Sequence, residues 1–242
     1  MDHRARSWLA AAALVVGVGG CADGDPSLVA VGSPAFQQGQ CFADPNTSTF
    51  LQLGVLDVSQ GTAYTLPVVV RNNLRARSSK TSSGVDDSEL QLSGVEVSLS
   101  MDQAPDVLRR VQSEDPAFVS FGATVPSISF VGGEEAGVVI DVVSDGASRA
   151  LRSAMTDLLP EGSRPTLEAE LVFHATRPGT GGSLGDIESR EYTFPIELCI
   201  GCLPVTCETC PEAQCPPDAQ FVGVCGNAQD GTLVPSQCDP LE

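Results

Sequence analysis

Alternation of apolar and polar residues recurs through the middle of the chain and predicts β-strands. Leu66, Val68 and Val70 share one face of an early strand. Residues 166–176 alternate most regularly, and this register places His174 on the outer, polar face. We predict strands from about Thr49 onward, at 64–70, 90–101, 118–131, 137–143, 166–176 and 192–198.

Two irregularities in this pattern predict local structure. The apolar phase of the strand at 90–101 slips by one residue at Ser93-Gly94, which indicates a β-bulge. Gly132-Gly133 separates two strands and predicts a tight turn, because glycine adopts positive φ without steric cost.

The spacing of apolar residues changes from a strand-like to a helical period once, over residues 148–159. Leu151, Met155 and Leu158 recur at i, i+4 and i+7, which predicts a short amphipathic helix that ends before Pro160. About seven short strands and one short helix predict a mainly β fold, an immunoglobulin-like two-sheet β-sandwich. The predicted core consists of Leu66, Val68, Val97, Leu99, Ile140, Leu171, Phe173, Phe194 and Ile196.

The N-terminal residues have the three zones of an export signal. Arg4 and Arg6 precede an apolar run at 8–18, which is shorter than the roughly 20 residues that a membrane-spanning helix needs. Val18-Gly19-Gly20-Cys21 follows and resembles the lipobox of a bacterial lipoprotein. This resemblance implies that Cys21 becomes the first mature residue and carries lipid, including palmitate. An ordinary secretory signal is the alternative.

Composition divides the chain into four parts. Residues 1–20 are predicted to be the signal peptide, and 21–46, rich in Gly, Pro, Asp and Gln, are predicted to be a tether. The alternative is that part of this stretch packs on the domain, as Cys41 suggests for its end. The β-sandwich domain spans 47–198, and 199–242 form a cysteine-rich, irregular tail. In the precursor, residues from about 5 to 16 should form a helix detached from the sandwich.

Charge limits the partners. The chain carries a formal charge of −18, and loss of the signal, which has a net +1, leaves −19. This acidity disfavours binding to nucleic acid, whose phosphates are also negative, and favours a monomeric protein. We expect a protein held in the cell envelope by its lipid, in the outer membrane on the periplasmic or surface face, with an envelope protein as partner.

The cysteines predict one long-range link. Seven of nine lie in the last 44 residues: Cys199, Cys202, Cys207, Cys210, Cys215, Cys225 and Cys238. With Cys21 lipidated, full oxidation requires Cys41 to pair with one of these seven, while the other pairings stay open. The tail has few large apolar residues, so we expect disulfides to hold it in place of a core.

The spacing Cys199-x2-Cys202-x4-Cys207-x2-Cys210 leaves metal and redox alternatives to structural disulfides. A zinc ribbon places more residues between its two CxxC pairs than the four found here. The spacing also differs from the cysteine runs that bind iron–sulfur clusters in ferredoxins. Thioredoxin-like chemistry needs the CxxC at a helix N-terminus, which Pro204 disfavours. We therefore expect disulfides, no metal and no cofactor.

The tail also carries Cys225-Gly226-Asn227-Ala228-Gln229-Asp230-Gly231 before its final Cys238. With the lipobox, it resembles the ends of uncharacterised cysteine-rich lipoproteins from Gram-negative soil bacteria. This resemblance implies an envelope location and no activity.

One motif suggests catalysis. Gly181-Gly182-Ser183-Leu184-Gly185 matches the G-x-S-x-G pattern of serine hydrolases, which requires a strand, a sharp turn, a helix and a later histidine. Here a glycine-rich loop joins two strands, and the one mature histidine, His174, comes before Ser183. We predict a non-catalytic binding or structural protein, with an envelope hydrolase using Ser183 and His174 as the alternative.

Two charged clusters are weaker candidates. Asp86-Asp87-Ser88-Glu89 and Asp23-Gly24-Asp25 do not follow the EF-hand calcium pattern. Four basic residues, Arg71, Arg75, Arg77 and Lys80, share one loop. We expect a solvated loop there, with docking to an acidic partner or to lipid headgroups as the alternative.

Overall fold

The computed structural model describes residues 26–36, 41–75, 88–178, 186–205, 221–223, 225, 227–231 and 234–235. The strands are β1 (Leu28–Pro34), β2 (Phe50–Leu51), β3 (Gly54–Asp57), β4 (Tyr64–Asn72), β5 (Leu90–Ser100), β6 (Ser120–Ala123), β7 (Ser129–Phe130), β8 (Glu135–Val143), β9 (Thr166–Thr176), β10 (Asp186–Glu188), β11 (Tyr192–Cys199), β12 (Phe221–Val222) and β13 (Val234–Pro235). The helices are α1 (Pro105–Glu114) and α2 (Asp145–Leu158). The signal peptide with its expected helix, Cys21 and Ser183 lie outside the described residues, as do Cys207, Cys210, Cys215 and Cys238.

Two sheets enclose the core. The smaller has the order β2-β1-β4-β8, and the larger has the order β3-β11-β9-β5-β6, with β10 and β7 added on β9 and β5. The pairings within both sheets are antiparallel except that of β3 with β11, which is parallel. The predicted immunoglobulin-like two-sheet β-sandwich is confirmed, with a separate β12–β13 pair near the C-terminus.

The alternation identified the core correctly. Each of the nine predicted core residues is at most 3% exposed, and they belong to one buried cluster that both sheets supply. The predicted bulge is confirmed, because the register of β5 on β9 shifts between Leu92 and Gly94. Gly133 has a φ of 87° in the turn before β8, as the Gly-Gly pair predicts.

The prediction of a single helix is wrong, because the described residues contain two. Helix α2 begins three residues earlier than predicted, since the Ser144 hydroxyl caps it by accepting from the Ala147 amide at 3.2 Å. Helix α1 was not predicted; Val107 and Val111, one turn apart, form its buried face. A 3-10 turn at Pro116–Phe118 and the short strands β6 and β7 replace the single strand predicted at 118–131.

Strand β1 corrects the predicted tether. Residues 28–34 lie within the segment 21–46, yet they pair with β4 from Leu28↔Asn72 to Gly32↔Val69. The side chain of Leu28 is fully buried. The prediction averaged a Gly- and Asp-rich composition over the whole segment and overlooked the short apolar run that begins at Leu28.

The sandwich has two distinct ends. At the "Leu28 end", β1 begins and β4 finishes, and buried Asn72 donates to the carbonyls of Ser88 (2.7 Å) and Phe130 (3.0 Å), which ties the two sheets together. At the "helix end", β4 begins at Tyr64 beside the last residue of β8, α2 follows, and α1 packs on α2. Within the described parts of the chain, neither helix has the length and apolar character needed to cross a membrane.

Candidate functional site

Residues 227–230, which we call the docked segment, insert into the helix end. Ala228 and Gln229 are fully buried. The Gln229 amide accepts from the Thr65 N–H at 2.8 Å and donates to the Thr65 carbonyl at 2.8 Å. A side chain from the tail therefore satisfies both backbone groups of one residue in β4, as a neighbouring strand would.

The backbone of the docked segment extends the larger sheet. The Asp57 N–H donates to the carbonyl of Ala228 at 2.9 Å, and the Asp230 N–H donates to that of Val55 at 3.0 Å. Leu56 and Gln229 form an antiparallel bridge. Because β3 lies at the edge of its sheet, these bonds cover backbone groups that an exposed edge would leave open.

The carboxylate of Asp230 is the polar centre of this contact. It accepts from the Val55 N–H at 2.6 Å and from the Tyr64 hydroxyl at 2.9 Å. Burial raises the pKa of Asp230 above its usual range, and these hydrogen bonds oppose that effect only partly. Burial, followed by the nearby Asp230 charge, raises the pKa of Tyr64 well above 10.0.

The N-terminal segment is fastened to the same region. Cys41 is disulfide-bonded to Cys225, two residues before the docked segment, across a separation of 184 residues. This link between the end of the predicted tether and the tail is the one that the odd cysteine count requires. Ala43 is buried, and its carbonyl occupies the space that a side chain at Gly137 of β8 would need.

A second disulfide joins Cys199 to Cys202 at the end of β11. Beside it, the buried carboxylate of Asp57 accepts from the N–H groups of Ser59 (3.0 Å), Gly201 (2.8 Å) and Leu203 (3.2 Å). Ligand atoms of Asp57 and of both cysteines lie within 4.8 Å of one another, a spacing that could suit a metal ion. The sulfurs are bonded to each other and the carboxylate is already hydrogen-bonded, so the set fits a closed disulfide loop better than a metal site.

An open groove of about 510 Å³ lies beside this loop. Met155 of α2 and Leu159, the residue that follows this helix, form one wall. Glu161 and Arg164 also line the groove, and Arg164 is ion-paired with Glu197 at 3.0 Å. Both cysteines of the disulfide and Ile200 form the other wall, and Ile200 is 47% exposed. Its volume falls within the roughly 300–1,000 Å³ typical of ligand pockets. The groove is the candidate binding site.

His174, the catalytic partner of Ser183 in the alternative hydrolase interpretation, lies on the outer face of β9, as the alternation predicts. Its Nε2 is 3.7 Å from Glu96 and its Nδ1 is 3.7 Å from Glu188. The element after the G-x-S-x-G motif is strand β10, which folds back on β9. Ser183 therefore precedes a strand and not the helix that a nucleophile elbow requires.

The predicted charged clusters are only partly described. Arg71 forms an ion pair with Glu135, and Arg75 is exposed. Ser88 is buried just before β5, and its hydroxyl accepts from the Gly132 N–H at 3.2 Å, so it contacts the turn before β8. Outside the described residues lie Asp23, Asp25, Arg77, Lys80, Asp86 and Asp87.

No model of a protein family matches this chain. No curated protein matches it either. One similar solved structure is the solution structure of a putative late embryogenesis abundant (LEA) protein, which is 12% identical over 74% of both chains with a TM-score of 0.38. A likeness at this level carries no argument about function.

Proposed function

We propose that this chain is a lipid-anchored protein of the cell envelope with a non-catalytic binding role, and that its ligand occupies the groove at the helix end. In this proposal the lipid on Cys21 holds the protein at the outer membrane. The sandwich serves as a rigid spacer, and the groove faces an envelope partner.

The observation that carries the proposal is the position of β1. Leu28 follows Cys21 by seven residues, so even a fully extended chain places it within about 25 Å of the lipidated residue. Strand β4 then runs from Asn72 back to Thr65, a rise of about 23 Å. The lipid therefore keeps the Leu28 end near the membrane, while the groove lies at the opposite end.

The disulfides support export. Cys41–Cys225 and Cys199–Cys202 are bonds of a kind that persist in oxidising compartments outside the cytosol. The first of them joins segments from the two ends of the sequence. It can form only after Cys225 has been synthesised and exported, which suits folding after transport across the inner membrane.

Replacing the lipidated cysteine tests the proposal. Cys21→Ser should yield a soluble or an unprocessed protein and so change the detergent-phase fraction, and mass spectrometry should find an acylated N-terminal peptide in the wild type and in the control but not in Cys21→Ser. The matched control is Ala22→Ser, which introduces the same residue one position later and leaves the lipobox unchanged. A Cys21→Ser protein that stays in the detergent phase would show that another feature anchors the chain.

A fluorophosphonate probe tests the non-catalytic part of the proposal. We expect no labelling of the purified protein above that of Ser183→Ala. Stoichiometric labelling that Ser183→Ala and His174→Ala both abolish would instead support the hydrolase.

A further inference from the structure

We propose that Cys199–Cys202 is an exchangeable disulfide, and that a thiol of a partner protein seated in the groove attacks the sulfur of Cys202. This activity goes beyond a binding role, and it does not depend on lipidation of Cys21. Three features of the described residues carry it: unequal access to the two sulfurs, a loop held by contacts other than the disulfide, and the small ring that the bond closes.

The two cysteine residues differ in exposure. Cys199 is 1% exposed at the end of β11, whereas Cys202 is only half-buried, and both residues line the groove. A thiolate that enters from the groove can therefore reach Cys202 more readily than Cys199. This asymmetry assigns Cys202 as the attacked sulfur and Cys199 as the leaving sulfur.

The loop does not rely on the disulfide for its shape. The Asp57 carboxylate holds it through the N–H groups of Gly201 and Leu203. The Cys199 sulfur lies 3.7 Å from the carbonyl of Leu56, so a reduced Cys199 thiol has an acceptor already in place. The oxidised and reduced loops can thus share one backbone, and exchange requires little reorganisation.

The covalent ring is small. Cys199 and Cys202 are separated by three positions, against 184 for Cys41 and Cys225. A disulfide that closes a short loop restricts the unfolded chain least, so it contributes least to stability through loop entropy. A purely structural role therefore explains the long-range bond better than it explains Cys199–Cys202.

The reaction is a two-electron exchange with a partner dithiol. A partner thiolate attacks Cys202, the Cys199–Cys202 bond breaks, and Cys199 leaves and takes up the proton that the attacking thiol released. The partner's second thiolate then attacks the partner sulfur that is bonded to Cys202 in the mixed disulfide. This step displaces Cys202, which takes up the second proton. The partner is oxidised to a disulfide, and the loop is reduced to two thiols.

Titration of the oxidised full-length protein with glutathione redox buffers tests the proposal, with alkylation of free thiols and mass mapping of peptides. We expect Cys199–Cys202 to open while Cys41–Cys225 stays closed and the circular dichroism of the sandwich is unchanged. Opening of Cys199–Cys202 only together with loss of the β signal, or only after Cys41–Cys225, would overturn the proposal.

Two single variants test the order of attack, and each serves as the matched control for the other because both remove the same bond. With glutathione disulfide, Cys202 in Cys199→Ser should form a mixed disulfide at least about tenfold faster than Cys199 in Cys202→Ser, because burial shields a thiol. Equal rates, or a faster Cys199, would refute the assignment. If either variant fails to fold, the titration of the native protein decides.

Discussion

The buried amide of Gln229 is the most informative single position in the tail. Its side chain satisfies the N–H and the C=O of Thr65, both at 2.8 Å, and is itself fully buried. We predict that Gln229→Ala destabilises the folded protein although it leaves both described disulfides intact. The expected cause is two orphaned backbone groups, not a lost apolar contact.

The structure sets the size of this effect. Leaving one buried backbone donor or acceptor unpaired costs about 1–3 kcal/mol, so two such groups on Thr65 should cost about 2–6 kcal/mol. Water that enters the vacated space would bring the loss toward the lower figure. A total stability of about 5–15 kcal/mol is usual for a domain, so the loss should be easily measured.

Urea unfolding of the oxidised protein, followed by circular dichroism, measures the change. The matched control is Gln112→Ala on the exposed face of α1, which should change the free energy of unfolding by less than about 0.5 kcal/mol. Gln229→Glu keeps the shape but loses the donor and adds a charge beside Asp230, so at neutral pH it should be at least as destabilising. A loss for Gln229→Ala no larger than that of the control would refute the docking that we describe.

Further predictions concern burial and the long-range disulfide. Because burial raises the pKa of folded Asp230 above 3.8, its contribution to stability is fully present below that pH and is lost as pH rises through the folded pKa. The free energy of unfolding of wild type minus that of Asp230→Asn should therefore fall as pH rises above about 3.8, and a difference that does not change with pH would contradict this. Burial raises the pKa values of Tyr64 and Tyr192 above 10.0, so at about pH 10 the folded protein should show less tyrosinate absorbance than the same protein unfolded in urea. The double variant Cys41→Ser/Cys225→Ser should lose about 5 kcal/mol by loop entropy in the same urea assay, and a loss below about 1 kcal/mol would show that the docked segment alone closes the fold.

Local periodicity explains why much of the sandwich was predictable. Phe173 and Leu171 alternate with polar residues along β9, and every strand with this pattern places the predicted side chains in the core. The bulge at Ser93-Gly94 was predictable for the same reason, since it restores one buried face in a strand whose phase slips. These features depend on residues that are neighbours in sequence.

The missed elements have weaker local patterns. Helix α1 buries only Val107 and Val111 among charged residues, and its arginines pair with acids of the same helix, such as Arg110 with Glu114. Strand β1 contains four apolar residues in succession and then Gly32. It therefore shows neither the alternation typical of a half-buried strand nor the repeat typical of an amphipathic helix. Both elements are held by packing on the sandwich, which a single local window does not reveal.

The docked segment was harder to predict, because a polar residue that is buried cannot be told from a surface residue by sequence alone. Gln229 and Asp230 meet Thr65 and Tyr64 across more than 160 residues, and nothing around them in the tail is periodic. The cysteine count was the one signal that the tail returns to the N-terminal part of the chain. It predicted a covalent link for Cys41 but not the hydrogen-bonded insertion beside its partner.

These contacts change which part of the chain must be present for folding. A fragment limited to 47–198 would lose β1 from the smaller sheet, together with the groups that pair with Thr65 and with the edge of β3. It would therefore expose both a sheet edge and a buried polar patch, two defects that favour aggregation or misfolding. The smallest independent unit should run from about Leu28 to about Asp230, and the tail belongs to that unit because its polar residues complete the sandwich.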